Sequence, residues 1–178
     1  MPMIICTEQS QLDHWEDKWL SQGYEGVIIR DMHGLHKQGR STVREMGLLR
    51  IKRFVESEAL ITGVVEGSTN NNEAQINERG LQFRSSHQEN KEPNGMVGHF
   101  VGTACETIKD AASRKVIIVE GQSITIAPGN LTHAQRKFYF ENPDKALGQI
   151  AKYKFFPKGI KDKPRFPTFQ TFKTKSDI

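Results

Sequence analysis

The sequence predicts a mainly β fold with a few helices, its larger part a small Greek-key barrel such as an OB-fold. Three observations carry this. Short runs rich in Val, Ile and Phe recur along the chain, several alternating apolar with polar residues as half-buried strands do. Only the stretches following Thr7 and Thr132 show helical spacing. Gly, Asn and Pro clusters punctuate the rest.

Met3 to Cys6 is a short apolar run and is read as a strand. Thr7-Glu8-Gln9-Ser10 reads as a helix start with a capping hydroxyl. Leu12, Trp15, Trp19 and Leu20 follow at helical spacing, with both Trp residues expected to make core contact, and Gly23 stops the helix. Gly26 to Arg30 is a strand dense in β-branched residues, and Asp31 to Thr42 is a polar loop. Leu48 to Phe54 alternates apolar and basic residues and is a further strand. One helix and two or three strands cannot enclose a core of their own, so this segment needs other material to pack against.

From Glu58 the pattern is all-β with one helix. Ala59 to Glu66, Met96 to Ala104 and Lys115 to Val119 are strands, and the polar, Asn-rich stretch from Ser68 to Asn94 is read as a mobile insertion. Thr132-His133-Ala134-Gln135 has capping-box spacing, and its helix runs to Asn142-Pro143. Lys145 to Phe156 and Phe166 to Phe172 complete the strands. Five or so short strands with one intervening helix suit the barrel.

At 178 residues there is room for one ordinary domain, or a small domain and part of another. The composition, 36% hydrophobic and 26% charged, lies outside the disordered range. The net charge of +4 is unevenly spread. Eight Lys/Arg face one acid between Lys152 and Lys175, and six face two acids between Asp31 and Arg53. Clustered cations with interleaved aromatics suit a polyanion such as nucleic acid, or a solvated basic face. Cys6 and Cys105 lack metal-ligand spacing and suggest a reducing compartment, and the close pair His33 and His36 has no carboxylate or Cys at zinc-ligand spacing. No run approaches a membrane span and no leader is evident, so no membrane partner and a cytoplasmic location are expected.

Glu25, at the start of a strand, is placed to hold a divalent metal or orient a ribose, though surface Glu residues are common there. Arg50 and Lys52 share one strand face, because side chains repeat every two residues, and two cations on one face suit a nucleotide α-phosphate. Lys37 and Arg40 flank Gly39 in a loop, where they would clamp a phosphodiester backbone or stay solvated.

Taken together, Glu25-Gly26-Val27-Ile28-Ile29-Arg30, Lys37-Gln38-Gly39-Arg40-Ser41-Thr42 and Leu48-Leu49-Arg50-Ile51-Lys52-Arg53-Phe54 resemble the fourth and fifth nucleotidyltransferase motifs of ATP-dependent DNA ligases. Gly148-Gln149-Ile150-Ala151-Lys152-Tyr153-Lys154-Phe155-Phe156-Pro157, followed by Lys161-Asp162-Lys163-Pro164-Arg165-Phe166-Pro167, resembles the C-terminal signature of the small phage and bacterial ligases. The resemblance implies the end of an adenylation domain over residues 1–54, a hinge near Arg53-Phe54-Val55, and an OB-fold domain over 55–178. It implies ATP as AMP donor, Mg²⁺, and nicked duplex DNA sealed through enzyme-AMP and DNA-adenylate intermediates. Glu25 matches the carboxylate near metal and nucleotide. Lys52 matches the lysine at the α-phosphate. Arg50 stands where the family usually has another lysine, a fork in place of a point charge. Arg165 falls in the sixth-motif region that approaches the β- and γ-phosphates. Lys37, Arg40, Lys152, Lys154, Lys161 and Lys163 are the implied DNA contacts.

The family attaches AMP to the lysine of a Lys-x-Asp-Gly motif, and none occurs in these residues; Lys109-Asp110 and Lys161-Asp162 lack the pattern. The expectation is that Met1 begins inside the adenylation domain; a separate polypeptide carrying the N-terminal half, a truncated gene and a piece cut from a longer chain all fit this. The alternatives from other classes are a non-catalytic DNA-binding module and an mRNA capping guanylyltransferase fragment.

Overall fold

The computed structural model describes residues 2–110, 114–157 and 164–173. It is mainly β, with two α-helices among the described residues.

Helix α1 spans Gln9–Ser21. Its first turn is tied down by Thr7, whose backbone N–H donates to Gln11 Oε1 at 3.0 Å, so Thr7 contributes a main-chain donor and no hydroxyl cap. Gly23, at φ +94°, ends the helix by turning the chain left-handed. The run from Met3 to Cys6 is exposed and forms no strand, having no partner to pair with among the described residues. Trp15 and Trp19 are only half buried, their rings 5.7 Å apart. The buried member of the helix is instead Glu16.

Strands β1 (Gly26–Arg30) and β2 (Leu48–Lys52) form a separate antiparallel pair. Val27 is the only buried hydrophobic residue before Ala59 among those described. Ile28, Leu35, Val43, Met46 and Leu48 are all exposed. The expected shortage of core in this segment is therefore present.

Eight of the remaining nine strands follow in order: β3 (Val55–Asn70), β4 (Ala74–Ile76), β5 (Gln82–Arg84), β6 (Lys91–Ala104), β7 (Ile108–Lys109), β8 (Val116–Ile118), β9 (Ser123–Ile126) and β10 (Ile150–Phe156). The last is β11 (Arg165–Phe172), and helix α2 (His133–Glu141) lies between β9 and β10. The main sheet has the order β11-β10-β3-β6-β9, every neighbour antiparallel. Beyond β9, Ala127 makes a parallel bridge to Thr168 on β11. Ala127 N–H donates to Pro167 O and Phe169 N–H donates to Ala127 O, each at 2.9 Å. Gly129 permits this approach: at φ +51°, a Cβ there would lie 2.3 Å from Phe169 O.

One apolar core fills this unit, built on Ile61, Val97, Phe100, Ile118, Ile126, Tyr153, Phe155 and Phe169. Side chains of this size contribute roughly 1.5–3 kcal/mol each when fully buried. Helix α2 covers part of it, with Tyr139 edge-on to Phe100 and Phe172. Its capping box is formed as the spacing predicts, Thr132 and Gln135 exchanging hydrogen bonds. Arg136 Nε fixes the helix by donating to Val97 O at 2.8 Å.

The stretch from Ser68 to Asn94, expected as a mobile insertion, contains paired strands. Strands β3 and β6 continue their ladder to Asn70↔Lys91, and β4 and β5 form a further hairpin. The Asn residues that made the stretch look like loop satisfy its backbone. Buried Asn72 donates to Asn70 Oδ1, Ser85 O and His87 O. No helix among the described residues is long and apolar enough to cross a membrane.

Candidate functional site

The β1–β2 ladder builds the site. Gly26 pairs with Lys52, so Glu25, one residue before β1, falls beside the Lys52 side chain and forms an ion pair with it. Only glycine fits at 26, because a Cβ would lie 2.1 Å from Ile51 O. From the other side, β11 opens with Arg165, whose Nη1 stands 3.8 Å from Glu25 Oε1. Arg50 is exposed on the Lys52 face of β2. The hydrogen bond from Lys52, followed by the charges of Lys52, Arg165 and Arg50, holds the Glu25 carboxyl below its usual range; slight burial opposes this. Four residues singled out in the sequence, Glu25, Arg50, Lys52 and Arg165, therefore converge.

An open cleft of about 550 Å³ adjoins them. Leu20, Val55, Phe156 and Pro157 supply its apolar walls, and Glu25, Lys52, Arg53, Lys109 and Asp110 its charges. Chemically, this is an apolar pocket with three cations and two carboxylates at its edge, an arrangement that suits an anion bearing an apolar body where the cations are not already met by the acids.

A second ion pair was not anticipated. Arg53 donates from Nε to Glu16 Oε1 at 2.8 Å and from an Nη to Oε2 at 2.5 Å. Glu16 is 1% exposed. The signal existed: Glu16 falls four residues after Leu12 and four before Leu20, on the apolar stripe of α1, where a carboxylate is out of place unless paired.

The candidate DNA contacts are less uniform. Lys37 is paired with Glu45 at 2.5 Å, and Lys152 with Glu56 at 2.5 Å, so an acid offsets part of each charge. Arg40 is exposed. Lys154 Nζ lies 5.2 Å from the Phe54 ring centroid, a cation over an aromatic face where the chain passes from the β1–β2 pair to the main sheet. Lys161 and Lys163 lie outside the described residues.

Among the described residues no cluster of three His, Cys, Asp or Glu stands ready for a metal. Glu25 alone, held ionised, is a hard oxygen donor of the kind Mg²⁺ takes when nucleotide phosphates and water supply its remaining ligands.

No protein-family model matches the sequence, and no curated protein matches it. Solved structures do. A structure described as "Pmar-Lig_Pre." overlaps 93% of this chain with a TM-score of 0.58 at 21% identity, using 30% of its own length. One described as "DNA binding with a minimal scaffold: Structure-function analysis of Lig E DNA ligases" overlaps 96% with a TM-score of 0.58 at 17% identity, using 48% of its length. A Chlorella virus DNA ligase-adenylate overlaps 97% at 24% identity with a TM-score of 0.44, too loose a superposition to argue from. The chain thus shares its fold with part of the Lig E DNA ligases, and it spans about a third to a half of the length of the structures it matches.

Proposed function

We propose that this chain is the C-terminal part of an ATP-dependent DNA ligase. Residues 1–54 would end the adenylation domain, and residues 55–178 would form an OB-fold domain. The near absence of buried apolar residues before Ala59 supports the division. The sheet order, with the bridge from Ala127 back to Thr168, supports a closed five-stranded barrel.

The observation that carries the reading is the convergence of Glu25, Lys52 and Arg165 beside the cleft. Adenylyl transfer concentrates negative charge on the nucleotide α-phosphate. Lys52 and Arg50, fixed on one strand face, stabilise that charge with little reorganisation. Arg165, arriving from the second unit, faces the outer phosphates. Glu25 releases Lys52 to the phosphate and turns its carboxylate to the ribose or to nucleotide-bound Mg²⁺. The metal, when bound, neutralises phosphate charge and orients the leaving group. Lys154, Lys152, Lys37, Arg40, Lys161 and Lys163 contact the backbone of nicked duplex DNA in this reading. The adenylated lysine lies outside these residues, which contain no Lys-x-Asp-Gly.

The test combines the chain with a polypeptide carrying the Lys-x-Asp-Gly half of the adenylation domain, labelled ATP or GTP, Mg²⁺ and nicked duplex DNA. Denaturing electrophoresis should show label from ATP only when both polypeptides are present, and the nick should close. The chain alone should take no label. DNA binding with no label in any mixture would favour a non-catalytic module, and label from GTP a guanylyltransferase.

A further inference from the structure

Glu16 presents a problem that its own segment poses and solves. A carboxylate at 1% exposure is costly unless its charge is met. Its partner is a guanidinium placed where the chain leaves the small β pair: Arg53 follows Lys52, the last residue of β2, and precedes β3 by one residue, Phe54. The contact uses both carboxylate oxygens. A planar fork bound at two points fixes direction as well as distance, which a single contact to an ammonium does not. Asp13 and Asp17 on the same helix add to the negative field around Arg53, and together with Glu16 they favour its charged form. Residues 2–54 bury only one hydrophobic side chain, Val27, so little apolar packing competes with this pair in setting how α1 meets the connector.

We propose that Glu16 and Arg53 are positioning residues: their two-point ion pair pins the connector between β2 and β3 to α1. The pin sets the direction in which the second unit departs. It thereby brings Arg165 to Glu25 and holds Lys52 at the edge of the cleft. That Lys52 serves a nucleotide phosphate rests on the function proposed above. That the pair sets the geometry between the units does not.

The experiment measures that geometry in the chain itself, without nucleotide. Spin labels are placed at Ile28→Cys, exposed on β1, and at Leu147→Cys, exposed after α2, with Cys6→Ser and Cys105→Ser removing the native thiols. Electron-electron resonance then reads the distance distribution. The starting protein should give one narrow distribution. Glu16→Gln and Arg53→Gln should each lose it, and the exchanged pair Glu16→Arg with Arg53→Glu should regain it, at unchanged helix content by circular dichroism. Where a single variant loses helix content, Arg53→Lys decides: it keeps the charge and removes the fork, and it should broaden the distribution while α1 stays folded. A narrow distribution in the Gln variants, a Lys variant as narrow as the starting protein, or broadening that the exchange does not reverse would each overturn the proposal. Failure of adenylyl transfer in the reconstituted mixture would leave these distances untouched, so the two ideas fall separately.

Discussion

Arg165 meets Glu25 across the boundary between the β1–β2 pair and the main sheet, its Nη1 3.8 Å from the carboxylate that Lys52 already holds. One acid is thus shared by two cations, one from β2 and one from β11. A phosphate entering the cleft would compete for both cations, so the Glu25 contacts are the ones that ligand binding must rearrange.

The ionisation of Glu25 should report this contact. Its carboxyl titrates below the usual 4.5 because Lys52 donates to it and three cations surround it. A depressed folded-state value means the contribution to stability is fully present above the unfolded value and is lost as pH falls through the folded one. The window therefore lies below about pH 4.5. Because Lys52 is 26% and Glu25 46% exposed, the pair is worth at most about 1 kcal/mol. Carbon-detected NMR of the Glu25 carboxyl should give a midpoint below 4.5 that rises toward it in Lys52→Ala. An unchanged midpoint in the variant would contradict the pairing.

Much of this arrangement was legible in the sequence. Period-2 alternation places Arg50 and Lys52 on one face, and the resemblance of their motifs to those of ATP-dependent DNA ligases implies that Glu25, Lys52 and Arg165 serve one nucleotide. The capping box at Thr132 was also readable, because it depends on residues three apart. What escaped depended on partners far away. β9 was missed because four residues of moderate apolarity say little until β6 is beside them. The Ser68 to Asn94 hairpin was taken for loop because composition does not reveal that Asn72 will bond to Ser85 and His87. The Met3 to Cys6 run looked like a strand, but it forms none where no neighbour pairs with it.

The bridge from Ala127 to Thr168 on β11 should hinge on Gly129. A methyl group there would meet Phe169 O at 2.3 Å, on a backbone already at φ +51°. Gly129→Ala should cost about 1–3 kcal/mol, read as a lower urea midpoint. Gly80→Ala is the control, since Gly80 also has positive φ, +72°, but has open space around its Cβ position. It should cost only the backbone contribution of about 1–2 kcal/mol, less than Gly129→Ala. Equal losses in the two variants would mean that the approach of the Ala127 segment to β11 contributes nothing.

The chain should bind duplex DNA weakly and with little sequence preference. On the proposed function its basic residues face phosphates, which supply affinity without base identity. Fluorescence anisotropy with labelled duplexes should show affinity falling with salt, at a log-log slope of about −0.9 per neutralised phosphate. A flat salt response would remove the basis for Lys154 and its neighbours as DNA contacts.

The two lysines at either side of the junction should separate the two activities. Lys52 sits at the cleft edge against Glu25, and Lys154 lies over Phe54 on β10. On the proposed function, removing Lys52 takes away a cation where charge concentrates during transfer, and comparable electrostatic donors are worth roughly 10²–10³-fold in rate. Lys52→Ala, in the reconstituted mixture, should therefore slow AMP transfer by about that factor. Its affinity for nicked DNA should change little, because Glu25 already engages the amine. Lys154→Ala should do the reverse: near-normal labelling from ATP, weaker DNA binding, and a salt slope reduced by about one contact. Adenylation rate and nicked-DNA anisotropy on each variant decide the matter. If Lys52→Ala labels at the normal rate, or loses chiefly DNA affinity, then β2 does not face the nucleotide. In that case Glu25, Lys52 and Arg165 are only an ion-pair seam between two units.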